Sequence, residues 1–142
     1  MEIKEIVQQL VNKYGTRDPF ILAKARGILV CKENLGNILY GYSSYYKRAM
    51  SIHINSNYEE ETQRLVCAHE LAYLLLYPKS TCHVVLDLST SKNPDFEKYI
   101  KMFMAHLLIS DEMLEKYAGE KVERLAECEG IPLELVELRL AQ

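Results

Sequence analysis

Apolar residues recur along most of this chain at helical spacing, interrupted by one central block where they alternate in the manner of strands. Ile3, Ile6, Val7, Leu10 and Val11 fall on one face of a helix that Gly15 ends. Asp18 caps a second helix with Pro19 at its first position; Phe20, Ile21, Leu22 and Ala25 point inward until Gly27. Ile28-Leu29-Val30-Cys31 is a short β-rich run, and Leu35-Gly36-Asn37 reads as a turn. The runs from Ile38 to Tyr42 and from Ala49 to Ile54 then suggest a hairpin, with residues 43–48 as its loop. Beyond a central helix, 79–93 has no clear period, though Val84-Val85-Leu86 has strand character. Asn93 and Pro94 open a helix whose buried side is Phe96, Ile100, Phe103, Met104, Leu107 and Leu108. Ser110 starts a short helix that ends at Gly119, and a helix pair, Val122 to Cys128 and Pro132 to Leu140, closes the chain. Without a repeat or linker, the pattern predicts one domain, 1–142, of the α+β class.

The central helix runs from about Tyr58 to Tyr77, opened by a Ser56/Glu59 capping box and three glutamates that favour the positive end of its dipole. Being apolar on nearly every side after Leu65, it is the core helix. At its centre is His69-Glu70-Leu71-Ala72-Tyr73, one residue away from the His-Glu-x-x-His pattern of zinc peptidases. There, two histidines one turn apart reach a single metal while the glutamate activates its water. Here Tyr73 stands where the second histidine belongs, so the frame of a hydrolase lacks a ligand.

Composition narrows the rest. A length of 142 residues, with 49% hydrophobic and 26% charged, suits a globular domain. No apolar run reaches membrane-spanning length and the charged N-terminus is no signal peptide, so no membrane role is expected. Cys31, Cys67, Cys82 and Cys128 form no Cys-x-x-Cys pair and read as reduced thiols of a cytoplasmic protein. A metal site from Cys67 with His69, or from Cys82-His83, is the weaker alternative to ordinary packing. A net charge of −3 argues against direct nucleic-acid binding. The tyrosines at 40, 42, 45 and 46 with Lys47 and Arg48 fit a half-exposed sheet better than a nucleic-acid patch, and His53 is read as a sheet residue. The closing helix pair superficially suggests helix-turn-helix binding, but its second helix carries two glutamates against one arginine, which phosphate would repel.

Taken in order, these segments resemble a family: two N-terminal helices, a small sheet ending in Ile-His-Ile-Asn, then Cys-Ala-His-Glu-Leu-x-x-x-Leu-Leu. A Glu-Lys-x-x-x-x-Phe-x-Ala-x-Leu-Leu helix follows, and the chain closes on Leu-Ala-x-x-x-x-Ile-Pro-x-x-x-Val-x-x-Arg-Leu. Over nearly its whole length the chain is similar to the ImmA/IrrE metallopeptidases of phages and mobile elements. The resemblance implies a zincin-like fold, a small antiparallel or mixed sheet beside a helix bundle, and a peptidase that relieves silencing by cleaving a helix-turn-helix repressor.

The family helix reads His-Glu-Leu-Gly-His-x-x-Leu-His, so His69 and Glu70 match, Tyr73 replaces the second zinc ligand, and Tyr77 replaces the later histidine. Aligning Phe103 with the phenylalanine of the family's Glu-Ala-Asn-x-Phe-Ala puts Tyr99 at the third ligand, leaving His69 alone of three. Two phenols ionised at pH 7 cost about 8 kcal/mol together, against about 10–16 kcal/mol for a good structural zinc site. Without metal, Glu70 has no activated water to deprotonate. His106, seven residues after Tyr99, is the candidate for rescue, although a helix histidine bonded to a neighbour is the simpler expectation. Tyr73 and Tyr99 are expected to fill the metal cavity with hydroxyls on His69 or Glu70, and exchanging them for His and Glu to rebuild the ligand set. The resemblance thus implies a cytoplasmic pseudoenzyme, Glu70 its vestigial general base, needing no cofactor and binding a protein partner such as a repressor or other regulator. The alternatives are an active zinc peptidase with unusual ligands and a phage-borne inhibitor of a host defence system.

Overall fold

A computed structural model describes residues 1–77, 82–85 and 94–141, with backbone alone at 82–85 and Pro94. The two N-terminal helices form where the spacing places them, α1 at Ile3–Tyr14 and α2 at Pro19–Ala25. Asp18 caps α2 by accepting the Phe20 amide at 2.9 Å. Strands β1 (Leu29–Glu33), β2 (Gly41–Tyr46) and β3 (Ala49–Asn55) follow, then the central helix α3 (Glu60–Leu76). Strand β4 (Cys82–Val85) precedes α4 (Pro94–Leu108), α5 (Asp111–Lys116), α6 (Val122–Glu129) and α7 (Leu133–Leu140). The rest of 79–93, including Leu86 and Asn93, lies outside the described residues. No helix among the described residues is long and apolar enough to cross a membrane.

The four strands lie in the order β1-β3-β2-β4, with β1 parallel to β3 and the other pairs antiparallel. One sheet face, including Ile52, Ile54, Gly41 and Ser43, is buried, and both β2 and β3 pack on α3. A side chain at Gly41 would put its Cβ 2.7 Å from Val66 on α3 and 2.6 Å from the His53 carbonyl. Glycine there lets helix and sheet meet. On the far side of α3, α4 packs against α1, α3 and α7. Helix α3 is buried almost without interruption from Val66 to Leu74 because it has neighbours on both sides. Of the expected buried side of α4 only Phe96, at its first turn, is exposed.

Three local expectations are corrected. Of the α2 residues expected to point inward, Ile21 and Ala25 are exposed, and the helix buries Leu22 and Ala23. Strand β2 begins at Gly41, not Ile38, and runs through the stretch expected to be loop, leaving a turn of Lys47 and Arg48 alone. Both turn residues adopt left-handed backbone, φ 48° and 68°, the conformation that matches a two-residue hairpin to strand twist. Glycine or asparagine usually occupies such positions, at about 1–2 kcal/mol less strain per residue. The Ser56/Glu59 capping box does not form: Glu59 is the N-cap of α3, and no side chain bonds there. The turn before α3 is held by amides instead, since Gln63 donates to the Tyr58 carbonyl at 2.7 Å and Asn55 accepts from Asn57 N at 3.0 Å.

Asn55 is fully buried at the end of β3 and organises this entire corner. Its side-chain oxygen accepts the Leu35 and Asn57 amides, and its nitrogen donates to the carbonyls of Gly36 and Leu39. At the opposite end, Arg17 donates to the His106 and Leu107 carbonyls and Arg139 to that of Ile109. Carbonyls left over at the last turn of α4 thereby find cationic donors.

Replacing Asn55 with Ala orphans four backbone groups of the 35–57 corner, so Asn55→Ala is expected to cost about 3 kcal/mol in urea unfolding. A loss under about 1 kcal/mol would show that water replaces the amide.

Candidate functional site

Helix α3 carries His69 and Glu70 into the interior, where their exposure falls to 2% and 0%. Helix α4 brings a second carboxylate to the same point from its first turn: Glu97 is buried, with Oε1 2.7 Å and Oε2 3.1 Å from His69 Nε2. On the other side of the ring, His69 Nδ1 lies 3.1 Å from Glu70 Oε1. Carboxylates only accept, so both ring nitrogens must donate and the imidazole is a cation. Burial alone pushes its pKa down, but the hydrogen bonds to Glu70 and Glu97 outweigh it and raise it to about 9. A buried histidine cation thus ties α3 to α4.

Glu97 therefore takes the position against His69 that alignment on Phe103 assigned to Tyr99. Tyr99, two residues on, is 45% exposed. Helical period explains the difference: Glu97 shares the buried stripe of Ile100, Met104 and Leu107, three, seven and ten residues further on, whereas Tyr99 is turned away. An acidic residue on an otherwise apolar stripe was the signal available in the sequence, and anchoring on the phenylalanine passed over it.

Tyr73 is buried one turn beyond His69, as expected of a residue at the second ligand position. Its ring meets Tyr77 at a centroid separation of 5.8 Å, and Tyr77 meets Phe96 of α4 at 4.2 Å. Partial burial, with Tyr99, Asp95 and Tyr73 nearby, raises the Tyr77 pKa. His106 is not at this site. It lies nine residues beyond Glu97 on α4, about 13 Å along the axis. It is buried there, its Nε2 without a hydrogen-bond partner among the described residues. Burial and the cations Arg139, Lys4 and Arg17 lower its pKa. Burial also pushes the Cys67 thiol far up, so it stays protonated and is a poor ligand. The side chains of Cys82 and His83 lie outside the described residues.

The residues can be tested for zinc by their donors. A zinc-peptidase centre needs three protein ligands. His69 and Glu97 converge, one donor more than sequence alignment retained, but the next turn of α3 presents the Tyr73 phenol. No group of three or more His, Cys, Asp or Glu able to hold a metal occurs among the described residues. The described donors fall one short of zinc, and the shortfall is at Tyr73.

Comparison with known proteins agrees with this frame. The IrrE N-terminal-like domain matches residues 23–141. The chain is 31% identical over 139 residues to the uncharacterized immunity region protein 2 of Bacillus phage phi105, covering 96% of this chain and 88% of that protein. It is 26% identical over 146 residues to the metallopeptidase ImmA of Bacillus subtilis, covering 99% and 85%.

Since the His69 pKa is raised on folding, its contribution is fully present below the unfolded value near 6.5 and is lost as pH climbs through about 9. In metal-free protein, unfolding free energy should fall by about 3 kcal/mol across that window, and His69→Gln should flatten the profile. A second expectation concerns the missing donor. Tyr73→His alone should bring zinc to near one per chain in elemental analysis, with Tyr99→Glu adding nothing. If only the double variant took up metal, Glu97 would not be the third ligand position.

Proposed function

The chain belongs to the IrrE N-terminal-like family, and from that premise we propose that it is a catalytically degenerate member that acts by binding a protein partner. The observation that carries this is the buried phenol of Tyr73 at the position of a metal ligand, beside two converging donors among the described residues. Zinc there requires a tyrosine phenolate, and ionising a free phenol at pH 7 costs roughly 4 kcal/mol. Glu70, whose family role is to deprotonate a metal-bound water, instead sits at hydrogen-bond distance from His69 Nδ1. The partner is a regulator of a phage or mobile element, such as a helix-turn-helix repressor. Support for that class comes from the immunity-region name of the phi105 relative and the peptidase name of the ImmA relative. Sequestering a repressor would preserve the outcome of cleaving it without hydrolysis.

One observation favours a second reading, a peptidase with an unusual ligand set: Glu97 and His69 remain together at 2.7 Å, as two surviving ligands of a metal would. Elemental analysis separates the two, on protein purified without chelator and again after zinc is added and dialysed away. Folded chain without zinc, binding its partner equally well as Glu70→Gln, is the expected result. Near-stoichiometric zinc, with chelator-sensitive cleavage that Glu70→Gln abolishes, would establish the peptidase instead.

A further inference from the structure

We propose that Ser51, activated by His53 and Glu33 on the outer face of the sheet, is a nucleophile that accepts the acyl group of small aryl esters. Ser51 and His53 are two apart on β3 and so project from the same face. That face is opposite the one whose Ile52 and Ile54 are buried, so this group is separate from the His69 cluster. His53 Nε2 lies 3.0 Å from Ser51 Oγ, and His53 Nδ1 lies 2.9 Å from Glu33 Oε1 on the neighbouring strand.

The order of these bonds sets the chemistry. A neutral imidazole carries one proton, and a carboxylate can only accept. Glu33 therefore holds that proton on Nδ1, which leaves Nε2 as the acceptor of the Ser51 hydroxyl. Nucleophile, base and orienting acid stand in the relation that defines acyl-transfer triads on unrelated folds. Tyr42, opposite His53 on β2, stacks on the imidazole at 4.3 Å and 9° and fixes the ring plane. Strand register sets Leu29 of β1 and Ser44 of β2 on either side of Ser51. Leu29 is 62% exposed, an apolar seat for an aryl group. The Ser44 hydroxyl supplies a donor for the oxygen that becomes negative.

In the reaction, Ser51 Oγ bonds to the acyl carbon as its proton passes to His53 Nε2, and the aryl oxide departs with that proton as a phenol. Water then gives a proton to Nε2 and its hydroxide to the acyl carbon. The bond to Ser51 breaks, the serine recovers its proton from His53, and a carboxylic acid leaves. Ester plus water gives phenol plus acid, with no redox change.

The test uses the full chain with p-nitrophenyl acetate, following nitrophenol release and mapping acetyl groups by tandem mass spectrometry. The expected result is a burst of one equivalent per chain with acetyl on Ser51. Ser51→Ala should eliminate the burst, His53→Gln should slow it roughly 100-fold and Glu33→Gln about 10-fold. Excess EDTA should leave it unchanged, which keeps this outcome independent of any metal held at His69. Folded wild-type chain acetylated only at lysines, or Ser51 acetylated equally fast in His53→Gln, would overturn the proposal.

Discussion

The interior of this protein is arranged around an imidazolium between two carboxylates. Glu70 comes from α3 beside the histidine and Glu97 from the first turn of α4, so satisfying the His69 ring fixes how those two helices approach. Removing three charged groups from water is expensive and is offset only where hydrogen bonds are short and complete. The helices framing the cluster are correspondingly tight: Leu71, Ala72, Ile100 and Phe103 are wholly or almost wholly excluded from solvent. Apolar packing supplies most of the cohesion. The charged cluster selects one register of α3 on α4 from among many that apolar surfaces alone would tolerate.

A metal and a proton are interchangeable solutions to the same electrostatic problem. Converging carboxylates beside an imidazole need a positive charge, supplied either by a divalent cation or by the second proton on the ring. Where the family helix has a second histidine, this chain has a tyrosine whose ring continues into an aromatic column through Tyr77 to Phe96. In the proposed reading that column and the doubly protonated histidine together perform the structural part of zinc's work, while its hydrolytic part is lost.

Much of the fold was legible because it rests on periodicity. The apolar stripes of α1 and α4, the caps at Asp18 and Ser110 and the break at residues 130–132 are local signals, and the structure follows them. The first part of β2 was placed too early because Ser43, Ser44 and the tyrosines look like loop until the opposing strand supplies their partners. At the site, His69, Glu70 and Tyr73 were readable from one helix because their geometry is intrahelical. Glu97 was readable only as an acidic residue on the apolar stripe of α4, since what it meets depends on where α4 crosses α3 and no short pattern encodes a crossing. Asn55 is a similar case: its four bonds reach up to 20 residues along the chain.

Arg17 closes on carbonyls 89 and 90 residues further along the chain. Contacts of such separation are entropically costly to form before the intervening segments are in place. During synthesis α1 and α2 leave the ribosome long before the helix end they will clamp exists. They wait with apolar faces exposed, and β1 waits for β3 as its parallel partner. These segments are therefore made well before the contacts that secure them. That interval is when chaperones, proteases or a neighbouring nascent chain compete for them most effectively.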